Sequence, residues 1–222
     1  MAEIILDFGS ATTCKNDIIY VRRMIDELAK VDTGKHNVVI KWQLFEKAIN
    51  SLPDGTILDP PVQLLKPMVF SYAYHYAKEK GYKTTASVFD LSSLKYLLAF
   101  DIPFVKLANR PELYWLAEEV PRKTPVYVSV GSLTQTIPKV LEGHSRYWEA
   151  LLCVSRYPAS AAKYKNVFGH FLGHGISDHT TGFDLWYKYQ PAIIEWHYKL
   201  PDSTGYDAGA FARTPEQLKE VL

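Results

Sequence analysis

The stretch Asn37-Val38-Val39-Ile40-Lys41-Trp42-Gln43 is a short apolar run that closes on polar side chains. It lacks the regular inside-outside alternation of a half-exposed strand, so it reads as a β-strand covered on both faces. Runs of the same kind recur along the chain: Ile4 to Phe8, Asn37 to Trp42 itself, Lys83 to Val88, Phe104 to Ala108, Pro125 to Val130, Ala150 to Ser155, Phe171 to Ile176, and Ala192 to His197. Amphipathic or capped stretches separate them, which is the pattern of parallel strands joined by helices. Eight such units in 222 residues predict an α/β protein, a small (β/α)8 TIM barrel, with an open doubly wound sheet as the competing architecture. The dinucleotide-binding version of that sheet needs a glycine-rich first turn, and Phe8-Gly9-Ser10-Ala11-Thr12-Thr13 holds one glycine.

The intervening segments support this reading. Ile18, Ile19, Val21, Met24, Ile25 and Leu28 recur at helical spacing behind Asn16 or Asp17, either of which can cap the first free amides. Val62 to Lys80, Asp90 to Phe100 and Asn109 to Val120 read as helices, and Thr214-Pro215-Glu216-Gln217 is a capping-box start for the last one. The covers after the fifth and sixth strands are short and poorly patterned. Asn50 to Pro61, rich in Pro, Asp and Gly, reads as a loop. No linker or repeat divides the chain, so residues 1–222 are expected to form a single domain.

Composition narrows the function. Lys and Arg number 25 against 24 Asp and Glu, for a formal net charge of +1. A balance this even, with no basic block, offers no electrostatic footprint for nucleic acid or an anionic membrane. A small-molecule partner is expected. Cys14 and Cys153 match no metal spacing and read as buried thiols. With no charged leader and no apolar run of about 18 residues, the expected location is cytoplasmic.

The C-terminal ends of the runs carry Asp7, Lys41 with Gln43, Ser87, Lys106 with Asn109, Ser129, Ser155, Ser177 with His179, and His197. In a barrel these ends converge on one mouth, where catalytic groups of such folds reside. The expected chemistry there is cationic with hydroxyls. Lys41 and Lys106 would enter a low-dielectric opening, which favours a phosphate or carboxylate ligand, although either could instead extend into solvent. His179 and His197 follow neighbouring strands and could share a divalent metal ion, or each could be a hydrogen-bonded core histidine. His36, His75, His144, His170 and His174 read as surface or structural. Asp207, in the Gly205-Tyr206-Asp207 turn, could fold over the mouth as acid, base or hydroxyl acceptor. Arg156 and Tyr157 could wall the acceptor.

These residues together resemble the sialic acid synthase family, whose members are N-acetylneuraminate synthase-like and condense phosphoenolpyruvate with a sugar. The resemblance rests on Cys153-Val154-Ser155-Arg156-Tyr157-Pro158, Gly175-Ile176-Ser177-Asp178-His179-Thr180, Ile193-Ile194-Glu195-Trp196-His197, Gly205-Tyr206-Asp207 and Thr214-Pro215-Glu216. Upstream, Lys41-Trp42-Gln43 resembles the family's Lys-x-Gln strand, Ser87-Val88-Phe89-Asp90 its Thr-Pro-Phe element, Val105-Lys106-Leu107 its second lysine strand and Ser129-Val130-Gly131 its Ser-Thr-Gly strand end.

The resemblance implies a cytoplasmic transferase of carbohydrate biosynthesis whose barrel holds a divalent ion through His179 and His197. Manganese is the usual ion, with magnesium, cobalt or zinc as alternatives. It implies that Lys41, Lys106, Ser87, Ser129, Ser155 and Ser177 meet the phosphate and carboxylate of phosphoenolpyruvate, with Asn109 in the phosphate turn. Gln43, Tyr157 and Asp207 would then border the acceptor, an aldose or other aldehyde.

The chain departs from the family at two turns. The family's first strand carries Glu and continues into Asn-His, a further polar or acidic residue and Gly, where this chain has Asp7-Phe8-Gly9-Ser10-Ala11-Thr12-Thr13-Cys14. Its Gly-Ser-Gly-Glu turn is here Ala108-Asn109-Arg110-Pro111. The resemblance covers the barrel alone, without the family's C-terminal antifreeze-like domain. These departures leave an alternative expectation: a catalytically impaired barrel that serves as an anion- or metal-binding or assembly protein.

Overall fold

The run that ends on Lys41 becomes the strand Asn37–Leu44 in the computed structural model, which describes residues 1–51, 55–131, 147–168 and 175–222. In chain order the strands are β1 (Glu3–Asp7), β2 (Asn37–Leu44), β3 (Ile49–Ser51), β4 (Ile57–Val62), β5 (Lys83–Val88), β6 (Val105–Leu107), β7 (Val126–Val130), β8 (Trp148–Cys153), β9 (Gly175–Asp178) and β10 (Ile193–His197). All but β3 and β4 close into a barrel in the order β1-β10-β9-β8-β7-β6-β5-β2. Its neighbouring strands run parallel, and the seam between first and last strands pairs Asp7 with His197. This is a small (β/α)8 barrel.

The helices are α1 (Ala11–Cys14), α2 (Ile18–Val31), α3 (Pro67–Glu79), α4 (Leu91–Leu97), α5 (Ala161–Phe168), α6 (Asp184–Tyr189) and α7 (Pro215–Leu218), with 3-10 turns at Pro111–Glu119 and Tyr206–Ala208. Asp17 caps α2 by accepting from the Ile19 amide at 2.8 Å. Val21, Met24, Ile25 and Leu28 face the barrel as their spacing predicts, whereas Ile18 and Ile19 at the helix start are exposed. The capping box at Thr214 and Gln217 is present. No helix among the described residues is long and apolar enough to cross a membrane.

Period two along each strand sorts the barrel interior into layers. The lower layer is an apolar plug of Ile5, Val39, Phe104 and Leu151, with Tyr127 and Ile193 packed against it. Phe104 and Tyr127 stack with ring centroids 3.9 Å apart. Gly175 belongs to this plug for lack of space: a Cβ there would sit 2.3 Å from Leu151 Cδ2. Two residues further along the same strands come Asp7, Lys41, Lys106, Ser129, Cys153, Ser177 and Glu195, all buried.

Several expectations are corrected. The segment read as a loop from Asn50 to Pro61 contains the antiparallel pair β3 and β4, with Ile49 opposite Val62 and Ser51 opposite Ile57, while residues 52–54 lie outside the described residues. Pro60 and Pro61 conceal it, since proline is tolerated only in edge strands where its missing donor breaks no ladder. The helix expected from Val62 starts at Pro67, and Asn109 to Val120 supplies a 3-10 helix rather than an α-helix. The run expected at Phe171 to Ile176 is a strand at Gly175–Asp178, and its earlier part falls outside the described residues. The cover after β7 and the histidines at 144, 170 and 174 also fall there.

Candidate active site

A cavity of about 730 Å³ opens at the C-terminal ends of the barrel strands. Lys41, Gln43, Ser87, Lys106, Asn109, Ser129, Ser155, Tyr157, Ser177, His179, His197 and Asp207 all line it. Strand alternation delivers the deepest of these, and loops deliver the rest.

At the floor, Lys41 Nζ donates to Asp7 Oδ2 at 2.7 Å and to Ser87 Oγ at 2.9 Å. Lys106 Nζ donates to Ser129 Oγ at 2.6 Å and to the Leu107 carbonyl at 3.2 Å. Glu195 stands between the two ammoniums, 3.4 Å from each, and accepts from Ser177 Oγ at 3.2 Å. The expected cationic mouth is therefore corrected: Asp7 and Glu195 offset the charge of Lys41 and Lys106. A buried ammonium without a partner is costly, and these pairings offset part of that cost. Among the described residues Glu195 Oε2 has no hydrogen-bond partner of its own.

The pairing sets the ionisation. Burial works to raise Asp7, but Lys41 outweighs it and holds the carboxyl below its usual range. Glu195 is likewise lowered against its burial by Lys106 and Lys41. Burial opposes the charge on Lys41, yet Asp7 and Glu195 raise it above the ordinary lysine value. Lys106 is lowered, by burial first and with Lys41 adding to the effect.

Above this floor, Gln43 Nε2 bridges two carboxylates, donating to Asp7 Oδ2 and Asp207 Oδ1 at 3.0 Å each. Asp207 reaches the mouth because Gly9 lies beneath it. Gly9 has φ +73, and a Cβ there would come within 2.9 Å of Asp207 Cβ. Burial and the neighbouring Asp7 charge push the Asp207 carboxyl up to about 7. On the rim, Asn109 Nδ2 donates to Ser155 Oγ at 2.8 Å.

His179 and His197 face each other with ring centroids 5.4 Å apart. His179 Nδ1 lies 2.9 Å from the Val154 carbonyl, which can only accept, so its proton sits there and Nε2 keeps a lone pair. Burial, with His197 adding to it, lowers His179 to about 4, and burial lowers His197 as well. Both imidazoles are thus neutral at physiological pH. His197 Nδ1 is buried, 3.4 Å from Asp207 Oδ1 but without a hydrogen-bond partner among the described residues. Two neutral imidazoles with an orphaned nitrogen suit a divalent ion at nitrogen distances of about 2.1 Å. Among the described residues no group of three or more His, Cys, Asp or Glu is arranged to hold an ion. Tyr157 tilts over His179 at 4.2 Å and meets Phe211 edge-on at 5.0 Å, forming an aromatic wall.

Asp7 and Glu195 are the site residues that sequence reasoning underrates. Asp7 is visible as a strand-end polar group, yet its role as partner of Lys41 depends on register across β1 and β2. Glu195 precedes His197 by two residues, so alternation alone places both on one face.

The opposite wall is apolar. Ile49, Leu58 and Val62 from the β3 and β4 pair face the cavity together with Phe89.

Comparison with known proteins agrees with this architecture. The chain is similar to the N-acetylneuraminic acid (sialic acid) synthetase of Leptospira borgpetersenii serovar Hardjo-bovis, with 25% identity, a TM-score of 0.71, and coverage of 98% of this chain and 80% of that one. It is also similar to the spore coat polysaccharide biosynthesis protein SpsE of Bacillus subtilis, with 19% identity, a TM-score of 0.74, and coverage of 99% and 65%. A truncated 3-deoxy-D-arabino-heptulosonate 7-phosphate synthase from Thermotoga maritima shares the fold at 10% identity, with a TM-score of 0.63 and coverage of 99% and 83%. No curated protein sequence matches. The profile of the NeuB family matches residues 65–222, which span β5 to β10 and with them most of the lysine, serine and histidine positions described above. The chain belongs to the NeuB family.

Proposed function

We propose that this protein condenses phosphoenolpyruvate with an aldose or other aldehyde. C3 of phosphoenolpyruvate bonds to the aldehyde carbon, water adds at C2, and the C2–O bond breaks to release inorganic phosphate. Membership of the NeuB family makes the chain a phosphoenolpyruvate-dependent synthase. What carries the reading is the meeting of Lys41, Lys106, the strand-end serines and two neutral imidazoles in one cavity of about 730 Å³.

Lys41 and Lys106, with Ser87, Ser129 and Ser177 at the floor and Ser155 and Asn109 at the rim, offer fixed donors to the phosphate and carboxylate. His179 and His197 would hold a divalent ion, manganese first, with magnesium, cobalt or zinc as alternatives. When bound there, it supplies positive charge to the aldehyde oxygen. Asp207, raised to about 7, can give that oxygen a proton and then take one from the water that adds at C2, which returns it to its starting state. Gln43 orients this carboxyl, and Tyr157 closes the acceptor side. The chemistry needs neither nucleic acid nor membrane. Both cysteines are free and buried, which supports a cytoplasmic setting.

One observation favours a second reading. The carboxylates of Asp7 and Glu195 already occupy the lysines, so the barrel could hold an anion or metal without turnover. One assay separates the two: protein, manganese and phosphoenolpyruvate are mixed with a panel of aldoses and aldehydes, and phosphate release is followed. Acceptor-dependent release is expected. No release with any acceptor, while phosphoenolpyruvate still raises the melting temperature, would establish the binding role instead. Metal analysis of His179→Ala and His197→Ala should find less bound ion in each, and unchanged content in either variant removes that histidine from the ligand set.

A further inference from the structure

Behind the histidines lies a buried cation that the proposed chemistry does not use. Arg213 is 1% exposed, in the segment between the Asp207 turn and α7. Its Nη1 donates to the Thr180 carbonyl at 2.8 Å and to the Phe211 carbonyl at 2.7 Å. Its Nη2 donates to the Gly182 carbonyl and lies 3.4 Å from Asp178 Oδ2. Asp178 is itself held by the Trp196 indole at 2.9 Å and the Thr180 amide at 2.8 Å. The Arg213 guanidinium sits over the Phe183 ring at 5.1 Å.

The two elements joined here are the ones that present the imidazoles. The peptide that leaves His179 ends in the Thr180 amide, which donates to Asp178 Oδ1 at 2.8 Å, so Arg213 holds it through the Asp178 carboxylate and holds the next peptide directly through the Thr180 carbonyl. On the other side, the Arg213 amide donates to the His197 carbonyl at 2.7 Å. Phe211, clamped by the same guanidinium, stands edge-on to the His197 ring at 4.9 Å. One residue therefore bonds the His197 backbone directly, the two neighbours of His179 through Asp178 and the Thr180 carbonyl, and the residue whose ring packs on His197. Burying a guanidinium is costly, and burial indeed lowers its pKa. An apolar residue of similar volume would fill the space with less desolvation. A planar fork that can hold carbonyls of two loops at once is what such a residue lacks.

We propose that Arg213 is a positioning residue that sets the spacing of His179 and His197, and through it the affinity and geometry of the ion they bind. This rests on the metal reading above. Groups behind metal ligands, when removed, weaken binding by roughly 10- to 100-fold.

The test titrates full-length protein with Mn2+ alone and records the visible spectrum of the Co2+-loaded form. Arg213→Lys, which keeps the charge but not the fork, and Arg213→Gln, which keeps part of the hydrogen bonding, are compared with Leu28→Ala, a core change in α2 away from the mouth. Both Arg213 variants should bind Mn2+ roughly 10- to 100-fold more weakly and shift the Co2+ bands. Leu28→Ala should lower the melting temperature and leave both readouts unchanged. Should Arg213→Gln not fold, Arg213→Lys decides. Folded Arg213 variants with wild-type affinity and spectrum would overturn the positioning role while leaving the metal site standing. Wild-type protein that binds neither ion would overturn the metal reading and this inference with it.

Discussion

Two layers of the same barrel interior, separated by two residues along each strand, differ in almost everything except backbone. Ile5 lies below Asp7, Val39 below Lys41, Phe104 below Lys106, Tyr127 below Ser129, Leu151 below Cys153 and Ile193 below Glu195. In these six strands the lower member is apolar or aromatic and the upper is polar or, at Cys153, a thiol that burial raises to about 11, whereas β5 sets Thr85 below Ser87 and β9 sets Gly175 below Ser177. The lower layer gains chiefly from hydrophobic burial, and the buried Thr85 hydroxyl at that level is satisfied by the Phe104 carbonyl. In the upper layer each ammonium must find a carboxylate or hydroxyl before it can be buried at all. The plug thus supplies stability, and the layer above it offers prepaired charges to a ligand.

The largest effect should come from breaking a pair in the upper layer. Lys41→Met leaves Asp7 and Glu195 short of their counter-ion, and removing one partner of a buried pair costs about 3–5 kcal/mol. Loss of a fixed donor should also lower kcat by about 10²- to 10³-fold. Denaturant titration and phosphate release together measure both losses. Unchanged stability would show that the carboxylates do not depend on the ammonium.

The plug should respond differently. Leu151→Ala empties part of the lower layer and should cost about 2–5 kcal/mol, with the KM for phosphoenolpyruvate unchanged. A large rise in that KM would mean that the layers are not separable.

Asp207 refines the contrast through pH. Its carboxyl is raised from an ordinary value of 3.8 to about 7, so the folded protein keeps a proton that the unfolded chain releases between those values. Its contribution to stability is present below about 4 and is lost as pH rises toward about 7. Asp207→Asn should remove that fall from the stability profile. If Asp207 delivers a proton in turnover, kcat/KM should decline above about pH 7 in the wild type and lose that limb in the variant. An identical limb in both would assign it to another group.

Smallest of all should be a change outside both layers. Thr214→Ala removes the cap that accepts from the Gln217 amide, costs about 1 kcal/mol, and should leave kcat/KM unaltered.

The barrel itself is legible in the chain because covered strands leave continuous apolar runs, and α2 and the Thr214 box follow from spacing and caps. β9 resists reading for a physical reason. Gly175, Ser177 and Asp178 answer to the close approach of Leu151, the bond to Glu195 and the Arg213 contact, so only Ile176 carries the usual strand signature. The β3 and β4 pair hides behind its prolines. At the site, the identity of the polar ring can be read from strand ends, but its charge balance cannot. Lys41 meets Asp7 because β1 lies beside β2, and Glu195 stands between the lysines because β10 closes against β1. Apolar neighbours Ile194 and Trp196 mask Glu195, although its place two residues before His197 puts it on the same face.

The seam between β1 and β10 carries one more consequence. Asp7 and His197 are register partners across it, while 190 positions of chain separate them in sequence. Synthesis delivers the amino end first, at about 5–20 residues per second. Once Leu151 has been made, most residues of the apolar plug exist while Glu195, His197 and Asp207 do not. The cavity's floor and rim are therefore incomplete until β10 and the Asp207 turn have been made and docked against β1.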